Sequence, residues 1–392
     1  MFSTKESFDI VVVGGGPGGA MAAWSAAQAG VDVLIIEKDR EIGVPVRCAE
    51  GIAADTVKRF LDPDPHWISS EIKGVRLFAP SGDSLEFTEE GIGYVLERRV
   101  FDRELVNRAG KAGAEVRVSA CATGLVFDND RIAGVNVSSR GRNYTVRCPL
   151  VIAADGVESR VARWAGINTL IALRDLEVTT QYLLDNVRTD KGYCEFFLGQ
   201  NIAPGGYVWI FPKGPDTANV GIGVCGRYTR QKSSTAYLHE FIERRLPGSA
   251  PLAMVVGSVP VAQTLEEVFT DGLMVVGDAA HQVNPVSGGG IGTAMIAGDI
   301  AGRVGAEAIK LGDVSKKQLV RYRKEWDSAY GNHQRRVYKV KEAIHKLKDE
   351  TFNATAERLK DKDKITLKDM FLSTLRHQPG IMIDVIRMFA RI

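Results

Sequence analysis

The chain has 392 residues, 45% of them hydrophobic, enough for two or three domains with sizeable cores. Its 50 basic and 48 acidic side chains leave a net charge of +2, a balance that excludes a general nucleic-acid binder. The five cysteines, Cys48, Cys121, Cys148, Cys194 and Cys225, are odd in number, widely spaced and form no CxxC pair. They argue against a disulfide frame or a zinc site and fit a reducing cytoplasm; the histidines add no ligand spacing, so no metal is expected.

In chain order, the first element is the run Ile10 to Val31, uncharged and long enough to imitate a membrane span. Six glycines and Pro17 interrupt it and its period changes midway, so it reads as strand, tight turn and helix. No basic leader with a cleavage site precedes it, and a soluble or at most membrane-peripheral protein is expected. The turn carries Gly14-x-Gly16-x-x-Gly19, with Gly18 inside it. Gly14 permits the turn, Gly16 lets backbone approach a pyrophosphate, and Gly19 allows close helix–strand packing. The phosphates would meet free N–H groups at the helix N-terminus. Val31 to Glu37 forms a second buried strand, and Glu37 follows Gly19 by 18 residues, where a carboxylate accepts ribose hydroxyls. A dinucleotide site is therefore predicted, although this fingerprint alone does not separate NAD from FAD.

The segment GVPVRCAEG, Gly43 to Gly51, then places Cys48 directly after Arg47. Phe101 to Ala112 has helical spacing and follows Arg98. Short β-rich runs come next, at Glu115–Val118, Gly124–Asp128, Arg131–Ser138 and Arg142–Cys148, separated by the turn signals DNDR and SRGR. LVIAADG is another buried strand, leading to Asp155-Gly156. From Leu176 to Cys225 the texture is that of an antiparallel sheet, hence a second domain. Within it Tyr207, Trp209 and Phe211 alternate and share one strand face, Pro212 stops the strand, and Gly221 and Gly223 leave space on the next one. Such a face suits a long apolar ligand or, as aromatic strand faces usually do, plain sheet core. Nucleotide-type sequence resumes at GLMVVGDAAH, with Gly277-Asp278 at a strand end and Gly288 to Gly292 opening a helix. From about Lys316 the chain is charged and helical in period. Residues 331–392 hold 14 basic against 8 acidic side chains, a local +6. Such a segment suits an anionic surface or substrate, or a solvated helical face, and the terminal IMIDVIRMFARI alternates apolar residues with Asp384, Arg387 and Arg391.

The fold class expected is α/β. A discontinuous Rossmann-like domain takes 1–75, 95–170 and 262–315, an inserted antiparallel-sheet domain takes 76–94 and 171–261, and a helical region takes 316–392.

The stretch GLMVVGDAAHQVNPVSGGGIGTAMIAG resembles the flavoprotein superfamily that includes p-hydroxybenzoate hydroxylase. The resemblance implies FAD, with Asp278 at the ribityl and pyrophosphate region and the backbone of Gly290 and Ile291 beside the isoalloxazine. Arg98 matches an R-x-x-F-D pattern whose arginine contacts FAD, with Arg99 as an adjacent candidate, and Ala122 aligns with a backbone contact on the adenine side. Y-x-W-x-F-P followed by G-x-G, together with EKDREIGVPVRCAEGI, is similar to the geranylgeranyl reductase family, and the likeness runs from the N-terminus to about Gly302. It implies an enzyme saturating isolated C=C bonds of geranylgeranyl chains, most like the branch that acts on archaeal membrane ether lipids. Tyr207, Trp209, Phe211, Pro212, Gly221 and Gly223 would then line the substrate, and IMIDVIRMFARI would cover the mouth of a lipid tunnel or form an ordinary amphipathic helix. Arg47, Cys48, Ala49 and Gly51 would border the flavin, with Cys48 as proton donor or gate. No second GxGxxG unit is present, so electrons are expected from a transient NAD(P)H or from a protein such as ferredoxin. His281 belongs to the structure around FAD by the same likeness. Two other readings are a flavin monooxygenase of an aromatic substrate and a non-catalytic prenyl-binding protein.

Overall fold

The computed structural model describes residues 5–190 and 192–362. The terminal IMIDVIRMFARI lies outside the described residues. The chain divides into two compact units, and it passes between them repeatedly: one takes Met1–Val46, Arg98–Ile171 and Pro260–Arg335, the other Arg47–Glu97, Ala172–Val259 and Arg336–Ile392.

The first unit is built on a six-stranded sheet. Its spatial order is Phe269–Thr270, Leu273–Val275, Leu150–Ala153, Ile10–Val13, Val33–Ile36 and Glu115–Arg117. All neighbours are parallel except the first pair. The four central strands, LMV, LVIA, IVVV and VLII, are buried at every residue, as parallel strands covered on both faces require. The helix Pro17–Gln28 starts with proline, whose missing N–H costs nothing there, and has no acidic side chain in its first turn. It packs on the long helix Ile291–Leu311 through small residues. A Cβ at Gly298 would stand 2.1 Å from the Gly18 carbonyl oxygen, and one at Gly302 would stand 2.3 Å from that of Ala22, so only glycine admits this approach. A separate three-stranded antiparallel sheet, Ala120–Asp128, Arg131–Ser139 and Arg142–Arg147, is joined by the two turns read from DNDR and SRGR. Asn129 and Asp130 both have positive φ, the conformation a tight two-residue hairpin demands.

The second unit holds an eight-stranded sheet. Its order is Ala250–Pro260, Leu176–Asp185, Ala218–Cys225, Tyr207–Pro212, Tyr193–Phe197, Ile68–Phe78, Ser84–Leu96 and Gly51–Ala53. The segment 47–75, assigned from sequence to the nucleotide-binding portion, belongs to this sheet and unit. Its strand Ile68–Phe78 forms a local hairpin with Ser84–Leu96, but its pairing with Tyr193–Phe197, which joins both to the sheet, spans more than a hundred residues and leaves no local trace. Alternation divides the two faces of the sheet. Val208, Ile210, Val220, Ile222 and Val224 form one core under the helix Ser234–Arg245, which contributes Leu238 and Phe241. Tyr207, Trp209 and Phe211 point to the other side, with Phe196, Ile72, Val95 and Cys194.

Candidate active site

In the first unit the glycine turn is shaped as the spacing predicts. Gly14 has φ +110°, and a Cβ there would meet the Ala154 carbonyl oxygen at 2.3 Å. A Cβ on Gly19 would fall 2.0 Å from the Gly14 carbonyl oxygen, whereas one on Gly16 would meet nothing within 4 Å, leaving the helix N-terminus open to an anion. Gly18 is committed to packing against the Ile291–Leu311 helix, its would-be Cβ 3.4 Å from the Ala294 carbonyl oxygen. Glu37, just past its strand, accepts from Gly15 N at 2.7 Å and from Asp39 N at 2.9 Å. It therefore closes the turn through both oxygens and retains lone pairs for a ribose. The strand bearing Ala122 starts beside it, with Ala120 N donating to the Glu37 carbonyl at 2.8 Å.

Two further turns converge in this unit. Ser159 Oγ donates to the Ala279 carbonyl at 2.9 Å, tying the Asp155-Gly156 turn to the Gly277-Asp278 turn. Gly277 N donates to Gln282 Oε1 at 2.8 Å, Gln282 Nε2 donates to Tyr322 Oη at 2.8 Å, and that hydroxyl donates to the Val275 carbonyl at 2.7 Å. This buried frame fixes Asp278, and a Cβ on Gly290 would be 3.2 Å from Asp278 Oδ1, which places the carboxyl at the start of the long helix with Ile291. Burial pushes the Asp278 carboxyl up to about 6 against the opposing pull of Arg98. Arg98 forms a bidentate pair with Asp102, at 2.7 and 2.8 Å, so its guanidinium is held facing inward and does not splay into solvent. Arg99 pairs instead with Glu41 at 3.0 Å. Asp155 accepts from Val161 N at 3.0 Å through Oδ2, while its buried Oδ1 has no partner. Burial raises this carboxyl as well. His281 is buried, and its carbonyl accepts from Gln334 Nε2 at 2.7 Å, a structural role.

These residues fit FAD. The open approach at Gly16 suits a pyrophosphate, Glu37 an adenosine ribose, and the orphaned Asp155 Oδ1 and confined Asp278 suit hydroxyl donors.

In the second unit the Cys48 segment is seated on the aromatic sheet face. Gln181 makes the central contact: its Oε1 accepts from Trp209 Nε1 at 3.0 Å, and its Nε2 donates to the Cys48 carbonyl at 2.9 Å. Asn219 Nδ2 donates to the Ala49 carbonyl at 3.3 Å and to Glu50 Oε2 at 2.5 Å. Lys213 reaches Glu50 at 2.8 Å and Glu97 at 3.1 Å. Glu50, buried and at φ +74°, returns its N–H to Cys48 Sγ at 3.2 Å. Arg47 passes the edge strand, its Cβ 3.7 Å from where a Cβ on Gly257 would stand. Pro212 closes the aromatic strand, paired opposite Ala218.

The glycine spaces are not empty. A Cβ on Gly221 would stand 2.2 Å from Trp209 Cζ2, and one on Gly51 would stand 2.7 Å from Phe211 Cε2. The reading of Gly221 as a gap for a ligand is thus corrected: the indole of the residue opposite it in register fills that space. Gly223 faces Glu177, whose Oε2 is 3.4 Å from its would-be Cβ.

Gln181, Asn219, Glu50 and Glu177 were not singled out from the sequence. The available signal was weak, since Glu177, Thr179 and Gln181 are simply alternate residues of LEVTTQYLL. Among the described residues no group of three or more His, Cys, Asp or Glu is placed to hold a metal ion.

The nucleotide cradle and the sheet unit define an FAD-dependent oxidoreductase. Residues 9–195 match the FAD dependent oxidoreductase family, and residues 175–259 match the geranylgeranyl reductase catalytic domain. Digeranylgeranylglycerophospholipid reductase of Methanocella arvoryzae is 44% identical over 388 residues, covering 97% of this chain and 99% of the relative. A second such reductase, from Methanococcoides burtonii, is 46% identical over 361 residues, 91% of this chain and 89% of the relative. The crystal structure of a geranylgeranyl bacteriochlorophyll reductase-like protein from Thermoplasma acidophilum superposes with a TM-score of 0.92 at 35% identity, covering 98% of this chain and 100% of that one. The chain belongs to the digeranylgeranylglycerophospholipid reductase family.

Proposed function

We propose that this protein saturates isolated C=C bonds in the geranylgeranyl chains of ether-lipid precursors of archaeal membranes, using FAD. The observation that carries the reading is the Cys48 segment seated on the Tyr207–Trp209–Phe211 face by Gln181 and Asn219. An apolar polyene needs a dry, aromatic-lined surface, and here a polar bridge fixes that surface against a thiol-bearing loop.

When bound and reduced, FAD supplies the electron pair and one hydrogen. The chain's own residues supply the rest. Gly14, Gly16 and the helix N-terminus would hold pyrophosphate, while Glu37, Arg98, Ala122 and Asp278 would hold the nucleotide and ribityl parts. Gly290 and Ile291 lie at the positive end of the long helix, where their backbone N–H groups would favour negative charge on the reduced ring. By the family likeness Arg47, Cys48, Ala49 and Gly51 would border the ring, and Tyr207, Trp209, Phe211 and Pro212 would receive the isoprenoid chain and exclude water. Cys48 acts as a gate or a donor at this border. Electrons arrive from a transient NAD(P)H or from a ferredoxin. Among the described residues no helix is long and apolar enough to cross a membrane, and membrane contact, where it occurs, is peripheral.

The test is anaerobic. Reduced protein mixed with a geranylgeranylated glycerol phospholipid is expected to return to the yellow oxidised spectrum in a single turnover. Reoxidation no faster than in lipid-free vesicles would overturn the reading. In the same assay, Cys48→Ala at the wild-type rate would remove the thiol from the chemistry.

A further inference from the structure

We propose that Glu177 is the proton donor to the alkene, a role suited to a buried carboxyl with an unpartnered oxygen on the same sheet face as Tyr207 and Trp209. The inference rests on the reading above and extends it to the second hydrogen of the reaction.

The placement follows from register. Glu177 pairs with Cys225, Thr179 with Gly223 and Gln181 with Gly221 across one ladder, and Tyr207 pairs with Gly223 and Trp209 with Gly221 across the next. Residues opposite one another in antiparallel strands share a face. Glu177 and Thr179 therefore lead along the strand to Gln181, which carries the Cys48 carbonyl. Glu177 Oε2 is buried with no hydrogen-bond partner. Its space exists because two neighbours lack side chains: a Cβ on Gly206 would lie 2.9 Å from that oxygen, and one on Gly223 would lie 3.4 Å away. Both glycines fall within the stretch that includes the aromatic motif.

A carboxylate in such a place is costly, so the group is held neutral. Burial pushes its pKa up to about 8 from 4.5, and the charge of Lys341 only partly opposes this. Lys341, on the helix Asn332–Ile344, makes an ion pair with Asp175 at 2.5 Å. The other groups facing Glu177 are Tyr207 from the aromatic strand and Cys225 from the strand between them, both raised chiefly by burial and further by Glu177 itself. Cys48 also acts on Tyr207, so the phenol stands within electrostatic reach of both the thiol and the carboxyl. Of the other candidates, the Tyr207 phenol is held above the usual tyrosine range, and the Cys194 thiol is pushed up to about 12. Glu177 is a stronger acid than either of these. Cys48 Sγ accepts the Glu50 N–H at 3.2 Å, and with Glu177 as the donor Cys48 keeps the role of gate.

The balance is complete. Reduced FAD would supply one alkene carbon with a hydrogen and its electron pair and would itself be oxidised. The other carbon takes the proton from Glu177 as the carboxyl O–H breaks. Glu177 is left as a carboxylate, and a solvent proton restores it before the next turnover.

The experiment compares wild type, Glu177→Gln and Glu177→Asp with the same geranylgeranylated glycerol phospholipid. E177Q is expected to slow lipid-driven oxidation of the reduced flavin by about 100-fold or more, with FAD affinity unchanged, and E177D is expected to keep part of the rate. The wild-type rate should fall as pH rises through about 8, and E177Q should lose that limb. Carbon-13 NMR of the purified protein, assigned by difference from E177Q, should show the Glu177 carboxyl titrating near 8, whether or not lipid is turned over. A rate in E177Q within about threefold of wild type, or a Glu177 carboxyl titrating in the ordinary range, would overturn the inference alone. A wild-type protein that leaves the lipid untouched would instead sink the reductase reading, and this inference with it.

Discussion

Asp278 and Gln181 show how single side chains divide the work. Asp278 is confined among backbone and the helix start, and burial lifts its carboxyl from 3.8 to about 6. The folded apoprotein thus holds this proton to higher pH than the unfolded chain does. The contribution of this group to stability is full below about 3.8 and is lost as pH rises through about 6. Asp278→Asn should therefore make the apoprotein more stable than wild type above pH 6, read as a higher Tm, while weakening FAD by about 10-fold or more in a fluorescence titration. An apoprotein no more stable than wild type would show that the carboxyl is not strained. Gln181 joins the Trp209 indole to the Cys48 carbonyl. Gln181→Leu keeps the volume but leaves two buried polar groups unpaired, at a cost of about 1–3 kcal/mol in urea unfolding. Alkylation of Cys48, followed by mass spectrometry, should become faster in this variant. Unchanged alkylation would mean that the loop is held by Asn219 and Lys213 alone.

Elements differ in how openly the sequence displays them. Strands such as IVVV and LVIA announce themselves by unbroken apolar character, and the glycine turn by spacing. The Tyr207–Phe211 alternation likewise reveals that three aromatics share a face. It does not reveal what covers that face, because the covering loop lies 133 residues away at the Gln181 contact and 170 at the Asn219 contact. Nor does a glycine opposite a tryptophan tell whether its space holds a ligand or the indole, which is how Gly221 came to be misread. The interdigitation is directly testable. Gly221→Ala drives a methyl toward the indole and should cost about 1–3 kcal/mol, and adding Trp209→Phe should recover part of that loss. Additive losses in the double variant would contradict this packing.

The whole molecule is woven from a chain that leaves and re-enters each compact unit, with the FAD-binding match on residues 9–195 and the catalytic-domain match on 175–259. The nucleotide half was legible because its chemistry is carried by local turns: Gly14 to Glu37, and Gly277 to Ile291. The reductive half depends on long-range seating and on a buried acid that no local pattern flags. The most direct test of the account is mass spectrometry of a geranylgeranylated glycerol phospholipid after incubation with dithionite-reduced protein. The account predicts a mass gain of two hydrogens for each double bond saturated. Recovery of the lipid unchanged, or with oxygen inserted, would contradict it.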